Sequence, residues 1–333
     1  MRAILLTRHG GPDVLKITEV PTPSPRAGEV RVRIHAIGIN FAEVLSRRGL
    51  YGWAPSLPYI LGMEGFGEVD AVGEGVTSHK VGDRVIAGTQ FGCYAEFICV
   101  PAERALVPPR GFSTDENAAF AVNFMTAWIG LMELARLRPA DTVLVTSAAG
   151  GVGSAAVQIA KKSGARVIGA AGRGKQDAVR ALGADLALDY SDPRWHAQLG
   201  EVNVVLEMAG GSVYRTAVRH LAPMGRIVIA GASNAFPRTR NPFARLAAAR
   251  NLPRASIFDM LRRSYGVMSF HVGWLLDSGN VLSQWHDLVR FAEEHELRPL
   301  VGQRFAFEQM ADAHRALEER RNVGKVVVAA PGL

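Results

Sequence analysis

A chain of 333 residues exceeds one ordinary domain and suits two. Hydrophobic residues make up 48% and charged residues 21%, which excludes disorder as the main state. Lys and Arg total 38 against 31 Asp and Glu, a formal charge of +7 that raises anionic partners, while two cysteines, Cys93 and Cys99, exclude a disulfide framework and a four-cysteine zinc site.

In chain order, Met1–Arg8 holds too short an apolar stretch for a signal peptide. With the cysteine usage, this makes a reducing, cytoplasmic location the expectation. Residues 1–110 read as β-rich. Short runs at Val30–Ile37, Gly67–Val72, Arg84–Ala87 and Tyr94–Val100 are broken by Gly and Pro, the pattern of a small irregular barrel. A helical stretch follows over Glu116–Ala135. Strands and helices then alternate: Thr142–Ser147, Gly151–Ser163, Arg166–Ala171, Lys175–Leu182, Leu186–Leu188, Val202–Glu207, Ser212–Leu221 and Arg226–Ala230. Continuous Val/Ile/Leu runs of this kind belong to buried parallel strands, so the fold class is α/β with a doubly wound sheet. Residues 142–160 carry no charge, but their three glycines, hydroxyl residues and Gln158 make a poor membrane span. The end of the chain predicts helices at Val281–His295 and Glu308–Arg320 and strands at Gly302–Phe307 and Lys325–Ala329. It is too short for its own core and should fold back onto the first stretch.

The most specific local signal is Ser147-Ala148-Ala149-Gly150-Gly151-Val152-Gly153, placed between a strand and a helix. In that context Gly150 lets the backbone approach a pyrophosphate and Gly153 lets the helix pack on the strand. The helix N-terminus then offers its N–H groups to phosphate. Ala148 stands where the first glycine of the usual pattern would be. A tight turn without ligand is the bland alternative, and the full β-α-β context disfavours it. About 20 residues on, where an NAD site carries an acid, the strand ends in Ala170-Ala171-Gly172-Arg173-Gly174-Lys175. Two cations there suit the extra phosphate of NADP(H); the alternative is a pair of solvated charges.

At this point the chain resembles the medium-chain dehydrogenase/reductase superfamily. It is most similar to the zinc-independent quinone oxidoreductases and, within them, to the VAT-1-like branch. The resemblance rests on Gly10–Lys16, Gly38–Glu43, Arg48–Tyr51, Gly62-Met63-Glu64-Gly65, Val122–Trp128, Phe270–Gly273 and Asn322–Lys325, in that order. It implies a GroES-like β-barrel domain from residues 1–121 and 273–333 around a Rossmann domain at 122–272. Zinc-dependent relatives carry ligands where Asn40, Met63 and Val122 stand, and these residues cannot form the usual zinc site, so no metal is expected. The resemblance also implies NADPH as cofactor and an electron-poor carbon as hydride acceptor: a quinone or an α,β-unsaturated carbonyl. By position, Asn40 lies beside the nicotinamide and Tyr51 lines the substrate cleft, the catalytic pair. Thr126, Ala232, Ser233, Phe270 and Asn322 join Gly150, Gly151, Val152, Gly153, Arg173, Lys175 and Tyr190 as cofactor contacts. Tyr51 is a candidate proton donor, although solvent can serve. Each position has a plainer reading in packing or a turn, at least as strong for Phe270.

Two other functions stay open: reduction of an enoyl thioester, and an NADPH-binding protein with a membrane-associated or RNA-binding role and little turnover. A homodimer through the last Rossmann strand, near Tyr265–Phe270, is the expected assembly. The net charge sits almost wholly in residues 236–265, which hold seven arginines (Arg238, Arg240, Arg245, Arg250, Arg254, Arg262, Arg263) and one acid, Asp259. The favoured reading is a solvated helical face whose arginines cover apolar surface. The sharper one is an anion or membrane-surface site. No nucleic-acid partner is expected.

Overall fold

The computed structural model describes residues 1–236, 242–279 and 281–331, without the side chains of 242, 245 and 247. Its chain forms two units, Met1–Val122 with Leu276–Leu333, and Asn123–Leu275.

The first unit contains β1 (Arg2–Leu6), β2 (Ile17–Glu19), β3 (Glu29–Ile39), α1 (Phe41–Arg47), β4 (Tyr59–Ile60), β5 (Glu64–Val72), β6 (Arg84–Gly88), β7 (Phe97–Pro101), β8 (Ala105–Leu106) and α2 (Thr114–Ala118). The strand pattern follows from alternation. In β3, Val30, Val32 and Ile34 face the core while Arg31 and Arg33 face outward. A seven-stranded sheet runs β15-β16-β3-β5-β6-β8, with β7 on β3, and a three-stranded sheet runs β2-β1-β4. The strands β15 (Val301–Phe305) and β16 (Lys325–Ala329) come from the end of the chain, with α10 (Leu282–Glu294) and α11 (Met310–Glu318). The returning segment therefore completes the first sheet, as its short length required.

The second unit has β9 (Thr142–Thr146), α4 (Gly151–Lys162), β10 (Arg166–Ala171), α5 (Gln176–Ala181), β11 (Leu186–Asp189), β12 (Val202–Glu207), α6 (Gly211–Arg219), β13 (Leu221–Ile229), α7 (Pro242–Ala248), α8 (Ile257–Arg263) and β14 (Gly266–Ser269). Its sheet runs β11-β10-β9-β12-β13-β14, every neighbour parallel. That is the doubly wound dinucleotide-binding order, and it reverses between β9 and β12. The uncharged run 142–160 is β9, the glycine loop and most of α4. Among the described residues no helix is long and apolar enough to cross a membrane.

Local details differ from expectation. The single helix expected over 116–135 is broken into α2, α3 (Ala121–Trp128) and a π-helical turn at Ile129–Leu134. Ser113 starts α2 by accepting from Glu116 N–H, and the Glu116 carboxylate returns a bond to Ser113 N–H. The run expected as a strand from Tyr94 is continuous only from Phe97, with an isolated antiparallel bridge from Ala95 to Ala3 before it. The helices α1 and α9 (Val272–Asp277), and the strand β1, had no sequence expectation.

Candidate functional site

The second unit presents its loops at the carboxyl ends of the parallel strands. After β9, Ser147 takes the left-handed conformation at φ 51°, and Gly150 N–H donates to Ser147 O at 2.9 Å to close the turn. Gly150 then caps α4 in extended geometry. A Cβ on Gly153 would stand 2.2 Å from Ser147 O, so helix and strand touch main chain to main chain there. A Cβ on Gly150 would meet Ser147 O alone, at 3.2 Å. The cradle thus has the bare backbone a pyrophosphate needs, and the first-turn N–H groups at Gly151, Val152 and Gly153 face no acceptor within their helix. Asn123, buried, stands against Gly151: its Nδ2 would lie 2.6 Å from a Cβ there. Sequence reasoning passed over Asn123, although it sits in the same Val122–Trp128 element as the buried candidate Thr126.

One strand outward, β10 ends at the basic loop. Arg173 N–H donates to Ser191 Oγ at 3.3 Å, and its exposed guanidinium lies 3.8 Å from Asp189 Oδ2 at the end of β11. Lys175 precedes α5, and Tyr190 N–H donates to Ala171 O at 3.1 Å. The Tyr190 hydroxyl is 3.9 Å from where a Gly172 Cβ would be. Arg173, Lys175 and Tyr190 are therefore gathered at one edge of the sheet. An acid is present there as well, contributed by β11 rather than β10. A cavity of about 480 Å³ opens beside this loop, lined among others by Gly174, Asp189 and Trp195.

At the strand-order reversal, Thr146 Oγ1 accepts from Met208 N–H at 2.8 Å and so ties β9 to the loop after β12. Glu207, fully buried, accepts from Ala209 N–H at 2.8 Å and from Gly210 N–H. Burial pushes its carboxyl up to about 7. Ala232 and Ser233 follow β13, and Ser233 N–H reaches Met208 O at 3.1 Å. Phe270 follows β14 and packs against Gly130, in keeping with its plainer reading.

The remaining candidates belong to the first unit. Asn322 donates through Nδ2 to Gly324 O at 2.9 Å, the bond of a turn-stabilising residue. Tyr51 is half-buried beside Trp53 and Phe91, with ring centroids at 5.4 and 6.4 Å. Burial first, then the carboxylates of Glu43 and Asp277, pushes its phenol up to about 12. Asn40 is the N-cap of α1, and its side chain joins a buried polar network. Its oxygen accepts from Lys325 Nζ at 2.6 Å, and its Nδ2 donates to Glu64 Oε1 at 3.2 Å and Gly38 O at 3.3 Å. Glu43 accepts from Asn40 N–H at 2.8 Å, Met63 N–H at 2.7 Å and the Tyr94 hydroxyl at 2.5 Å. Burial lifts its carboxyl to about 7 against those bonds and the Lys325 charge. His314 is pushed down to about 3 by burial and then by Arg47, so it is neutral, and Tyr94 OH lies 2.9 Å from its Nε2. Glu64 Oε2 takes Val122 N–H at 2.9 Å. The positions that hold metal in zinc-dependent relatives, 40, 63 and 122, are thus tied together by two buried carboxylates. An amide, a thioether and an isopropyl group there do not fit zinc. Among the described residues no group of three His, Cys, Asp or Glu could hold a metal ion.

Residues 26–110 match the alcohol dehydrogenase GroES-like domain and residues 182–328 the family described as zinc-binding dehydrogenase. The synaptic vesicle membrane protein VAT-1 homolog of Rattus norvegicus is 34% identical over 344 residues, covering 100% of this chain and 84% of that protein. The chain belongs to the medium-chain dehydrogenase/reductase superfamily, in its VAT-1-like branch. The Thermus thermophilus quinone oxidoreductase, solved alone and with NADPH, is a further superfamily relative. It is 35% identical, with a TM-score of 0.82 over 99% of this chain and 100% of its own. An enoyl reductase structure is 26% identical at a TM-score of 0.86, over 99% of each chain. As a member of this superfamily the chain is an NAD(P)-dependent oxidoreductase, and the bare glycine cradle on α4 fits the nucleotide.

The arginine-rich segment is seen in part. Arg238 and Arg240 lie outside the described residues, as does the Arg245 side chain. Arg263 donates to Val218 O at 2.8 Å, next to the carboxyl end of α6, and Arg262 pairs with Asp259 at 2.9 Å. Arg263 lies over the Tyr265 ring, 5.3 Å from its centroid, while Ile257, Leu261 and Phe258 of α8, the last 85% exposed, face solvent.

Proposed function

We propose that this oxidoreductase is an NADPH-dependent, zinc-independent reductase of quinones or α,β-unsaturated carbonyls. The observation that carries the cofactor choice is the convergence of Arg173, Lys175 and Tyr190 beside the glycine cradle. The similarity to a quinone oxidoreductase solved with NADPH supports both halves of the reading. When bound, NADPH supplies the hydride. The chain's part is to seat the pyrophosphate on α4, to hold the 2′-phosphate with two cations, and to stabilise the oxygen that gains charge. Asn40 is our candidate for that last task.

The test is NADPH and NADH oxidation with a panel of quinones, enals and enoyl-CoA thioesters. Turnover of quinones or enals with NADPH supports the reading. Turnover confined to enoyl-CoA favours the enoyl-thioester alternative, which the enoyl reductase structure also supports, and no turnover favours a binding role. Replacing both Arg173 and Lys175 with alanine is expected to raise the KM for NADPH by roughly 10- to 100-fold, the worth of one or two charge-assisted bonds, and to leave NADH little changed. Equal effects on both cofactors would reject the assignment. Tyr51→Phe is expected to keep kcat/KM within about three-fold, because a phenol pushed up to about 12 is a poor acid and solvent can protonate an enolate or hydroquinone. A hundred-fold loss would make Tyr51 the donor.

A second reading concerns location rather than chemistry. The apolar face of α8, in the segment that carries most of the positive charge, suits a peripheral contact with an anionic membrane surface. The relative's name, a vesicle membrane protein, is in keeping with it. The strand β14 ends its sheet and is our candidate dimer edge. Phe258→Asp separates the two: lost sedimentation with anionic vesicles and an intact dimer by light scattering supports the membrane reading, whereas lost dimerisation assigns the face to assembly.

A further inference from the structure

Two charged residues of the segments that carry the family resemblance have no part in the function proposed so far: Glu64 of Gly62-Met63-Glu64-Gly65 and Lys325 of Asn322-Val323-Gly324-Lys325. Strand register brings them to one spot. Antiparallel pairing of β16 with β3 sets Val326 against Ile39, which puts Lys325 beside Asn40. Pairing of β3 with β5 sets Gly38 against Glu64. The approach is close: a Cβ on Gly38 would lie 2.9 Å from both Lys325 Cε and Glu64 Oε1. Asn40, Glu64 and Lys325 are 8%, 0% and 3% exposed.

An ion pair this deeply buried is poor evidence for stability, since desolvation offsets most of the attraction. Its geometry does something more specific. An ammonium can only donate and a carboxylate only accept. Lys325 Nζ, which also bonds Glu64, donates to Asn40 Oδ1 at 2.6 Å, so the amide oxygen must face the lysine. Asn40 Nδ2 must then face Glu64, Gly38 and Glu43, where its bonds are long, 3.2, 3.3 and 3.5 Å. A short charged bond at the oxygen also draws electron density toward it and makes the N–H groups of the same amide stronger donors.

We propose that Lys325, held by Glu64, is the positioning residue for Asn40: it fixes the orientation of the carboxamide, with the oxygen toward Lys325 and the nitrogen toward Glu64, Gly38 and Glu43. This rests on the reductase reading above. The role of Lys325 is orientation, with Asn40 as the group that meets substrate.

The full-length chain tests it through Asn40→Ala, Lys325→Met and the double variant, assayed with benzoquinone and NADPH. Each single change should lower kcat about 10-fold or more and leave the KM for NADPH within about two-fold. The double should lie within about three-fold of the weaker single variant, as for residues acting as one unit. Lys325→Arg, which keeps the charge and the donors, should recover part of the loss. Multiplying losses, or an unchanged kcat in either single variant, would overturn the inference. A crystal structure of Lys325→Met tests the orientation without any turnover. A rotated or flipped Asn40 amide supports positioning, and an amide unmoved overturns it, even where the wild type reduces no acceptor and the reductase reading itself fails. If Lys325→Met does not fold, Glu64→Gln/Lys325→Met leaves no buried charge unpaired and carries the same measurements.

Discussion

Replacing Gly153 with alanine is expected to abolish measurable NADPH binding and to cost roughly 3 kcal/mol or more of stability, above the usual range for an added methyl. The added carbon would stand 2.2 Å from Ser147 O and 2.7 Å from Ala148 Cα, both main-chain atoms. Neither can yield by itself. Ser147 is already held in a left-handed turn by the bond from Gly150 N–H, and Ala148 N–H donates to Ala170 O of β10 at 3.0 Å. Relief would require lifting α4 off the sheet, which would uncover Ala155, Ala156, Val157 and Ile159 and displace the first-turn N–H groups. Gly150→Ala is the contrast. Its φ of −83° suits any residue, and its methyl would meet one atom at 3.2 Å. Stability should change by no more than about 1 kcal/mol, while NADPH affinity falls about 10-fold or more because the methyl occupies the bare backbone. Urea unfolding and an NADPH titration on both variants check this. Wild-type affinity in Gly150→Ala would reject that glycine as the pyrophosphate seat.

The contrast between those glycines shows where the sequence could be read. The β9–loop–α4 element was legible because each signal is local: an unbroken apolar strand, glycines within four positions, and a helix that follows at once. The returning segment was legible for the same reason, and β16 occupies the expected Lys325–Ala329. The buried network of the first unit was not. Lys325 meets Asn40 from 285 positions away, and Tyr94 meets His314 from 220, so no window along the chain contains either pair. The one available hint was a charge at a strand start within a glycine-rich motif, Glu64. The helix α1 was missed because seven residues make fewer than two turns and show no period. The arginine-rich segment is a different case. Its charge was visible, and an apolar spacing of Ile257, Phe258 and Leu261 ordinarily marks a buried face. Burial depends on what packs against a helix, which spacing does not encode.

Glu207 leads to the second large effect. Its carboxyl is completely buried, and among the described residues its Oε2 has no hydrogen-bond partner. Burial, opposed by the bonds from Gly210, Thr146 and Ala209, lifts it to about 7, where a free glutamate titrates near about 4.3. Between those values the folded chain holds a proton that the unfolded chain has released. Stability from this group is therefore fully present below about 4.3 and is lost as pH rises from there through about 7, a fall of roughly 4 kcal/mol at about 1.4 kcal/mol per unit. Glu43, lifted to about 7 as well, acts in the same direction. The wild type should accordingly be less stable at pH 8 than at pH 5, opposite to the trend set by salt-bridged surface carboxylates. Glu207→Gln keeps an oxygen for the N–H groups of Ala209 and Gly210 and cannot ionise. It should exceed the wild type by about 1 kcal/mol at pH 5 and by more than about 3 kcal/mol at pH 8. Glu43→Gln should gain less, because its carboxylate receives four hydrogen bonds and the Lys325 charge, and an amide nitrogen would face one of those donors. Urea unfolding at the two pH values decides the matter: parallel pH dependences for Glu207→Gln and the wild type would mean that the Glu207 carboxyl titrates as a solvated one, with the strand-order reversal open to water instead of closed over a neutral acid.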